Sequence, residues 1–148
     1  MKTRDATLED LPALVDLATA FHEESKVSLT FDRDSFCRNW EKLLSSGAAS
    51  IFVAENARQE VKAMLGAMVY PDINSSDLVA TEMFWYSSKD ARGCGLPLFL
   101  VFEEWAKKRG ARHIIMVHLS NLMPDKLRRF YVKKGYAEAE THYMKELE

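Results

Sequence analysis

The succession of strand-like and helix-like segments predicts an α/β domain built on one mixed sheet, and three observations carry that prediction. Residues 78–86 form a run rich in β-branched and aromatic side chains, followed by a short glycine loop and an amphipathic segment ending near Arg109. Two further strand-like runs, residues 50–55 and 61–70, are separated only by a polar connection over residues 56–60. The core of residues 111–120 is almost continuously apolar, as in a strand covered on both faces. Hairpins and crossovers in one short chain require a sheet of mixed direction.

Taken in order, residues 1–6 supply a short first strand. Thr7 with Glu9 and Asp10 behind it is a helix start, and Leu11, Leu14, Val15, Ala18 and Phe21 form the apolar stripe of a helix over residues 8–23. Residues 25–31 lack periodicity and read as a loop. Asp32 or Asp34 caps a second helix that carries Phe36, Trp40, Leu43 and Leu44 and stops at Gly47. Gly66 interrupts the second hairpin strand, which signals a bulge or a close backbone approach. Residues 71–76 are a loop. Beyond the central strand and helix, Gly110 ends the helix and residues 111–120 form a strand. A turn over residues 120–125 leads to an amphipathic helix, 126–134, stopped by Gly135, and residues 136–147 read as a last strand. The predicted order is β-α-α-β-β-β-α-β-α-β. No repeat, low-complexity tract or internal boundary divides residues 1–148, so a single domain is expected.

The bulk properties exclude several classes. The chain has 148 residues, 47% hydrophobic and 28% charged, the balance of a water-soluble globular protein. Its 20 basic and 22 acidic residues give a net charge of −2, so the overall charge argues for neither nucleic acid nor an anionic membrane as partner. No apolar run approaches the ~20 residues of a membrane span. Cys37 and Cys94 form no spaced set of metal ligands, so no metal is expected, and a reduced cytoplasmic protein is the simplest reading.

The central strand, loop and helix carry the chemistry. Strand, glycine loop and helix together aim free backbone N–H groups at an anion, with the helix dipole behind them. The loop is Arg92-Gly93-Cys94-Gly95-Leu96-Pro97, with Pro97 suited to the first position of the helix. Five of these six places match Gln/Arg-x-x-Gly-x-Gly/Ala, and in this the loop resembles the pyrophosphate loop of the GNAT acyltransferases. The departure is Pro97, which cannot donate a hydrogen bond and leaves the loop one N–H fewer. A second stretch, Phe130-Tyr131-Val-Lys-Lys-Gly135-Tyr136, resembles the segment that closes a GNAT domain.

The resemblance implies a single, mostly antiparallel GNAT-like sheet flanked by helices, and an N-acetyltransferase that uses acetyl-CoA as co-substrate. Acyl transfer to an amine requires an anchored cofactor, removal of the amine proton, stabilisation of an oxyanion and protonation of the leaving thiolate. By the resemblance, residues 92–97 hold the pyrophosphate, and Trp85, Tyr86 and Ser87 contact the pantetheine arm through their backbone. Asn121, in the turn after the next strand, is a further cofactor contact. Tyr131 corresponds to the tyrosine that protonates the thiolate. Glu82 is the candidate general base, an acid set among Met83, Phe84 and Trp85 on a strand where burial would raise its pKa.

Several other groups have plainer readings. His113 and His118 flank an apolar strand and read as core or rim residues, and His22, Glu23 and Glu24 as a solvated helix end. The amine acceptor, a small molecule or a peptide, is not encoded in any recognisable signature. A homodimer is the default for such domains. The alternative function is a catalytically weak GNAT-fold module that binds CoA or a protein partner.

Overall fold

Five strands lie in the sheet in their chain order: β1 (Lys2–Asp5), β2 (Ala49–Glu55), β3 (Val61–Pro71), β4 (Leu78–Ser87) and β5 (His113–Ile115). The structure is a computed structural model describing residues 1–148. The first four strands are antiparallel to their neighbours, and β5 joins β4 in parallel. Between β1 and β2 run α1 (Leu11–Ser25), entered through a short 3-10 turn at Leu8–Asp10, and α2 (Arg33–Ser46). Helix α3 (Leu96–Lys108) connects β4 to β5. This is an α/β fold on a mixed, open sheet. The chain divides into two compact units, Met1–Val117 and His118–Glu148.

Local chemistry starts the first two helices where the sequence indicates. The Asp10 carboxylate accepts the Thr7 backbone N–H at 2.7 Å, and Asp32 caps α2 by accepting the Ser35 N–H at 2.7 Å. Strand alternation then sorts the sheet into two cores. Ile51, Val53, Met64, Phe84 and Tyr86 pack with Leu14, Leu17 and Trp40 of α1 and α2. Phe52, Ala54, Leu65, Ala67 and Ala80 pack with Leu98, Phe102 and Ala106 of α3. Each large apolar side chain so buried contributes about 1.5–3 kcal/mol. Arg4 ties β1 down, bonding Glu55 at 2.7 Å and Asp10 at 2.8 and 2.9 Å.

The regular alternation fails at one place. Gly66 pairs with Phe84, but the next β3 residue, Ala67, pairs with Glu82, so Met83 is an extra residue bulged out of β4. Gly66 meets the second part of its expectation as well. A Cβ there would stand 2.5 Å from the Phe84 ring, so only glycine lets that ring lie flat on β3.

Two sequence expectations are corrected. The strand expected over residues 111–120 forms only at His113–Ile115, opposite Val79–Thr81. The β4 bulge begins just past Thr81, and regular pairing stops there. The last strand, expected over 136–147, does not form. That stretch pairs with no strand, and its apolar side chains are left uncovered: Tyr143 is 95% and Leu147 83% exposed. The observed order is therefore β-α-α-β-β-β-α-β-α. More modestly, α1 runs on to Ser25, and α3 begins at Leu96, which makes Pro97 its second residue rather than its first.

In the second unit, α4 (Pro124–Lys133) begins after Met123 in a left-handed conformation and ends at Gly135, whose φ of +90° suits glycine. Tyr131 is buried and packs against Phe130 and Tyr136, ring centroids 5.8 and 6.0 Å away. The Tyr136 N–H closes the helix on the Tyr131 carbonyl at 3.0 Å.

Candidate active site

Beyond Thr81, β4 continues through Glu82–Ser87 with no partner strand on its β5 side. Glu82 occupies the first unpaired position. It shares the α3 face with Ala80 along the strand and with Ala67 across it. The residue is buried, 7% exposed, and its Oε2 accepts the Val117 backbone N–H at 3.0 Å. Burial pushes the Glu82 carboxyl up to about 7, and the bond from Val117 opposes that rise. A carboxyl poised there can accept a proton near neutral pH.

At the other end of β4 lies the glycine loop. The chain leaves Ser87 through a 3-10 turn at Lys89–Ala91 and enters α3 after Gly95. Gly93, at φ +87°, adopts a conformation that glycine takes without strain. Gly95 lies so close to β4 that a Cβ would meet Ser87 Oγ at 2.6 Å and Trp85 Nε1 at 3.1 Å. The Trp85 indole donates to the Gly95 carbonyl at 3.0 Å, and its ring stacks on Phe99 of α3. Cys94, Leu96 and Leu98 spend their N–H groups on the turns, bonding Ala91, Gly93 and Gly95. The N–H groups of Gly93 and Gly95 are not used in this way, and Pro97 has none.

Arg92 opens the loop, and its guanidinium is engaged by the protein. It donates to the Ser87 carbonyl and to Glu24 Oε1, and lies 5.2 Å over the Tyr86 ring. The Tyr86 hydroxyl donates to Glu24 Oε2 at 2.9 Å. The Arg92 guanidinium holds the Glu24 carboxyl below the usual range, whereas burial, followed by Glu24, raises the Tyr86 phenol. Glu24 thus ties the end of α1 to both β4 and the loop.

The structure brings Glu82, Trp85, Tyr86, Ser87, Arg92, Gly93, Cys94, Gly95, Leu96 and Pro97 onto one continuous path of β4, loop and α3. Cys94 is half-buried, with a thiol pushed up by burial. Asn121 lies exposed in a turn of the second unit, and Tyr131 lies in α4 of that unit. Sequence reasoning missed Glu24 and the Val117 N–H. Glu24 read as part of a solvated helix end, and a backbone donor leaves no trace in residue type. No sequence signal sets Glu24 beside β4, whose Tyr86 lies 62 residues further on.

No family model matches the sequence, and no curated protein matches it. Solved structures do match, over nearly the whole chain. A probable acetyltransferase is 18% identical, covering 100% of this chain and 99% of its own, with a TM-score of 0.80. A predicted acetyltransferase from Clostridium acetobutylicum, solved with acetyl-CoA, is 18% identical, covering 98% and 95%, with a TM-score of 0.77. A transcriptional regulator from Bacillus halodurans is 24% identical, covering 99% of both chains, with a TM-score of 0.80. Identities this low speak for architecture, and that architecture is unambiguous: the chain has the GNAT acetyltransferase fold.

Proposed function

We propose that this chain is a GNAT-family N-acetyltransferase that moves an acetyl group from acetyl-CoA to a primary amine by direct attack. The observation that carries the proposal is Glu82. It is a buried carboxyl with a pKa near 7, held where β4 loses its partner and on the strand that leads into the glycine loop. The fold supplies the setting.

One feature of the loop lies beyond the sequence alone: Gly95 lets it sit directly against β4, where any side chain would collide with Ser87 and Trp85. The Gly93 and Gly95 N–H groups, near the positive end of the α3 dipole, would hold the phosphates. The free edge of Trp85–Ser87 would run beside the pantetheine arm. Acetyl-CoA supplies the activated acetyl group; Glu82 takes the proton from the amine, directly or through water. Tyr131, assigned by the matching segment around it, protonates the leaving thiolate, and Asn121 adds a cofactor contact. The acceptor is a small-molecule or peptide amine.

Thermal unfolding with and without millimolar acetyl-CoA tests this reading, with acetate and ADP as controls. A ligand at ~100 times its dissociation constant adds about 2.7 kcal/mol, a visible rise in Tm. A shift with acetyl-CoA but not the controls, followed by acetylation in an amine screen that Glu82→Gln abolishes, supports it. No shift sinks it. That result would favour a second reading, a catalytically weak GNAT-fold module with a protein partner. One observation supports that alternative: the first turn of α3 has its N–H groups spent or, at Pro97, missing.

No helix is long and apolar enough to cross a membrane.

A further inference from the structure

We infer that Arg92 is a positioning residue clasped by Glu24, and not a ligand of the cofactor's phosphates. The inference rests on the acetyl-CoA reading of the loop and reassigns one of its residues. Both arms of the guanidinium are occupied: one donates to the Ser87 carbonyl at the end of β4, the other to Glu24 at the end of α1. Its face covers the Tyr86 ring, and the Tyr86 hydroxyl closes the network on the remaining Glu24 oxygen at 2.9 Å. Each group is therefore held by two others. Glu24 is only 22% exposed at its side chain, and Arg92 42%, so the pair is partly shielded from water.

Two of the guanidinium's five N–H donors are held by a partly buried carboxylate and a backbone carbonyl, and swinging it out to a phosphate would leave each of these without its charged donor. Charge-assisted bonds of this kind are among the stronger ones in proteins, and a partly buried carboxylate left unpaired is costly. The arrangement works instead as a staple. Trp85 fixes the far end of the loop through the Gly95 carbonyl, and Arg92 fixes the near end through Ser87 and Glu24. Between the two holds, the turns closed by the Cys94, Leu96 and Leu98 N–H groups are kept in shape. Glu24, on a helix far away in sequence, is thereby a second positioning residue of the loop.

The two assignments predict opposite signs, which makes the test decisive. The first arm uses the ligand-free protein and reads hydrogen exchange at the turn amides of Cys94, Leu96 and Leu98 in Glu24→Gln, Arg92→Gln and the double variant. The clasp predicts exchange about fivefold faster in each single variant and little further change in the double, the non-additivity of two partners in one network. Exchange at the wild-type rate in both single variants overturns it. The second arm titrates CoA by calorimetry. With the clasp, Glu24→Gln weakens CoA binding about fivefold, and Arg92→Gln added to it weakens it no further. Were Arg92 a phosphate ligand, freeing it by Glu24→Gln would tighten CoA binding, and Arg92→Gln would weaken it in either background; that pattern also overturns the clasp. A wild-type protein that binds no CoA refutes the cofactor reading, and the exchange arm still decides the clasp.

Discussion

Glu82 Oε2 accepts the Val117 backbone N–H at 3.0 Å, across the place where the backbone ladder between β4 and β5 has just ended at Thr81 and Ile115. A side chain there takes over one rung of the sheet. The same carboxyl is the group proposed to receive the amine proton. Replacing it by Gln keeps the shape and an acceptor but removes the base, so Glu82→Gln lowers kcat about 10²- to 10⁴-fold with Tm little reduced. Steady-state kinetics on any accepted amine checks this, and an unchanged kcat removes Glu82 from the chemistry.

The pH dependence follows from the same contact. On the proposal that Glu82 is the base, its ionised form is the active one, so kcat/KM rises as pH passes through about 7, and Glu82→Gln loses that limb. The Val117 bond favours the carboxylate. Val117→Pro deletes the donor, and the limb moves to higher pH. A limb unmoved in Val117→Pro would show that another group governs it.

Stability depends on pH in the opposite sense. Folding raises the Glu82 pKa from 4.5 to about 7. Between those values the folded protein keeps a proton that the unfolded chain has released, so stability falls as pH rises through that window, by up to about 3 kcal/mol. Denaturation midpoints near pH 5 and pH 8 should therefore diverge more for the wild type than for Glu82→Gln. Equal divergence in the two proteins would contradict the buried, protonated acid.

Trp85 offers a probe of the loop. Trp85→Phe keeps a ring to stack on Phe99 but loses the bond to the Gly95 carbonyl. The expected cost is about 1 kcal/mol of stability, with weaker CoA binding measured by calorimetry. Stability lost without any change in CoA binding would mean that the indole serves packing alone.

Gly66→Ala tests the close approach of β3 and Phe84. A methyl group there meets the ring at 2.5 Å, and overpacking of this kind costs about 1–3 kcal/mol. Adding Phe84→Leu should recover part of the loss in urea titrations. A fully stable Gly66→Ala protein would show that the ring moves aside freely.

How much of this was legible depended on the range of the physics. The 78–86 run became β4 almost to the residue, because its composition and the glycines behind it are local signals. The loop between β4 and α3 was legible for the same reason. The bulge at Met83 was not, because it exists only in the register between two strands. Glu24 reaches Tyr86 and Arg92 across 62 and 68 residues, and no local pattern reports a contact of that span. The last strand was overread: residues 136–147 are strand-like in composition, but a strand also needs a neighbour to pair with, and that is not written in the stretch itself.

Met83 has a consequence for insertions and deletions. On an unbroken strand Glu82 and Phe84, two residues apart, would face the same way; the extra residue lets Phe84 join the aromatic layer under α1 and α2 while Glu82 turns to the α3 side. Deleting that single codon would change neither the charge nor either neighbour. It would make Glu82 and Phe84 adjacent on a regular strand, whose successive side chains face opposite ways, so each would keep its face and its partner on β3 while the bulge was lost. In this fold the reading frame of the pleat, one residue wide, decides whether the acid lies on the α3 side or among the aromatic rings under α1 and α2.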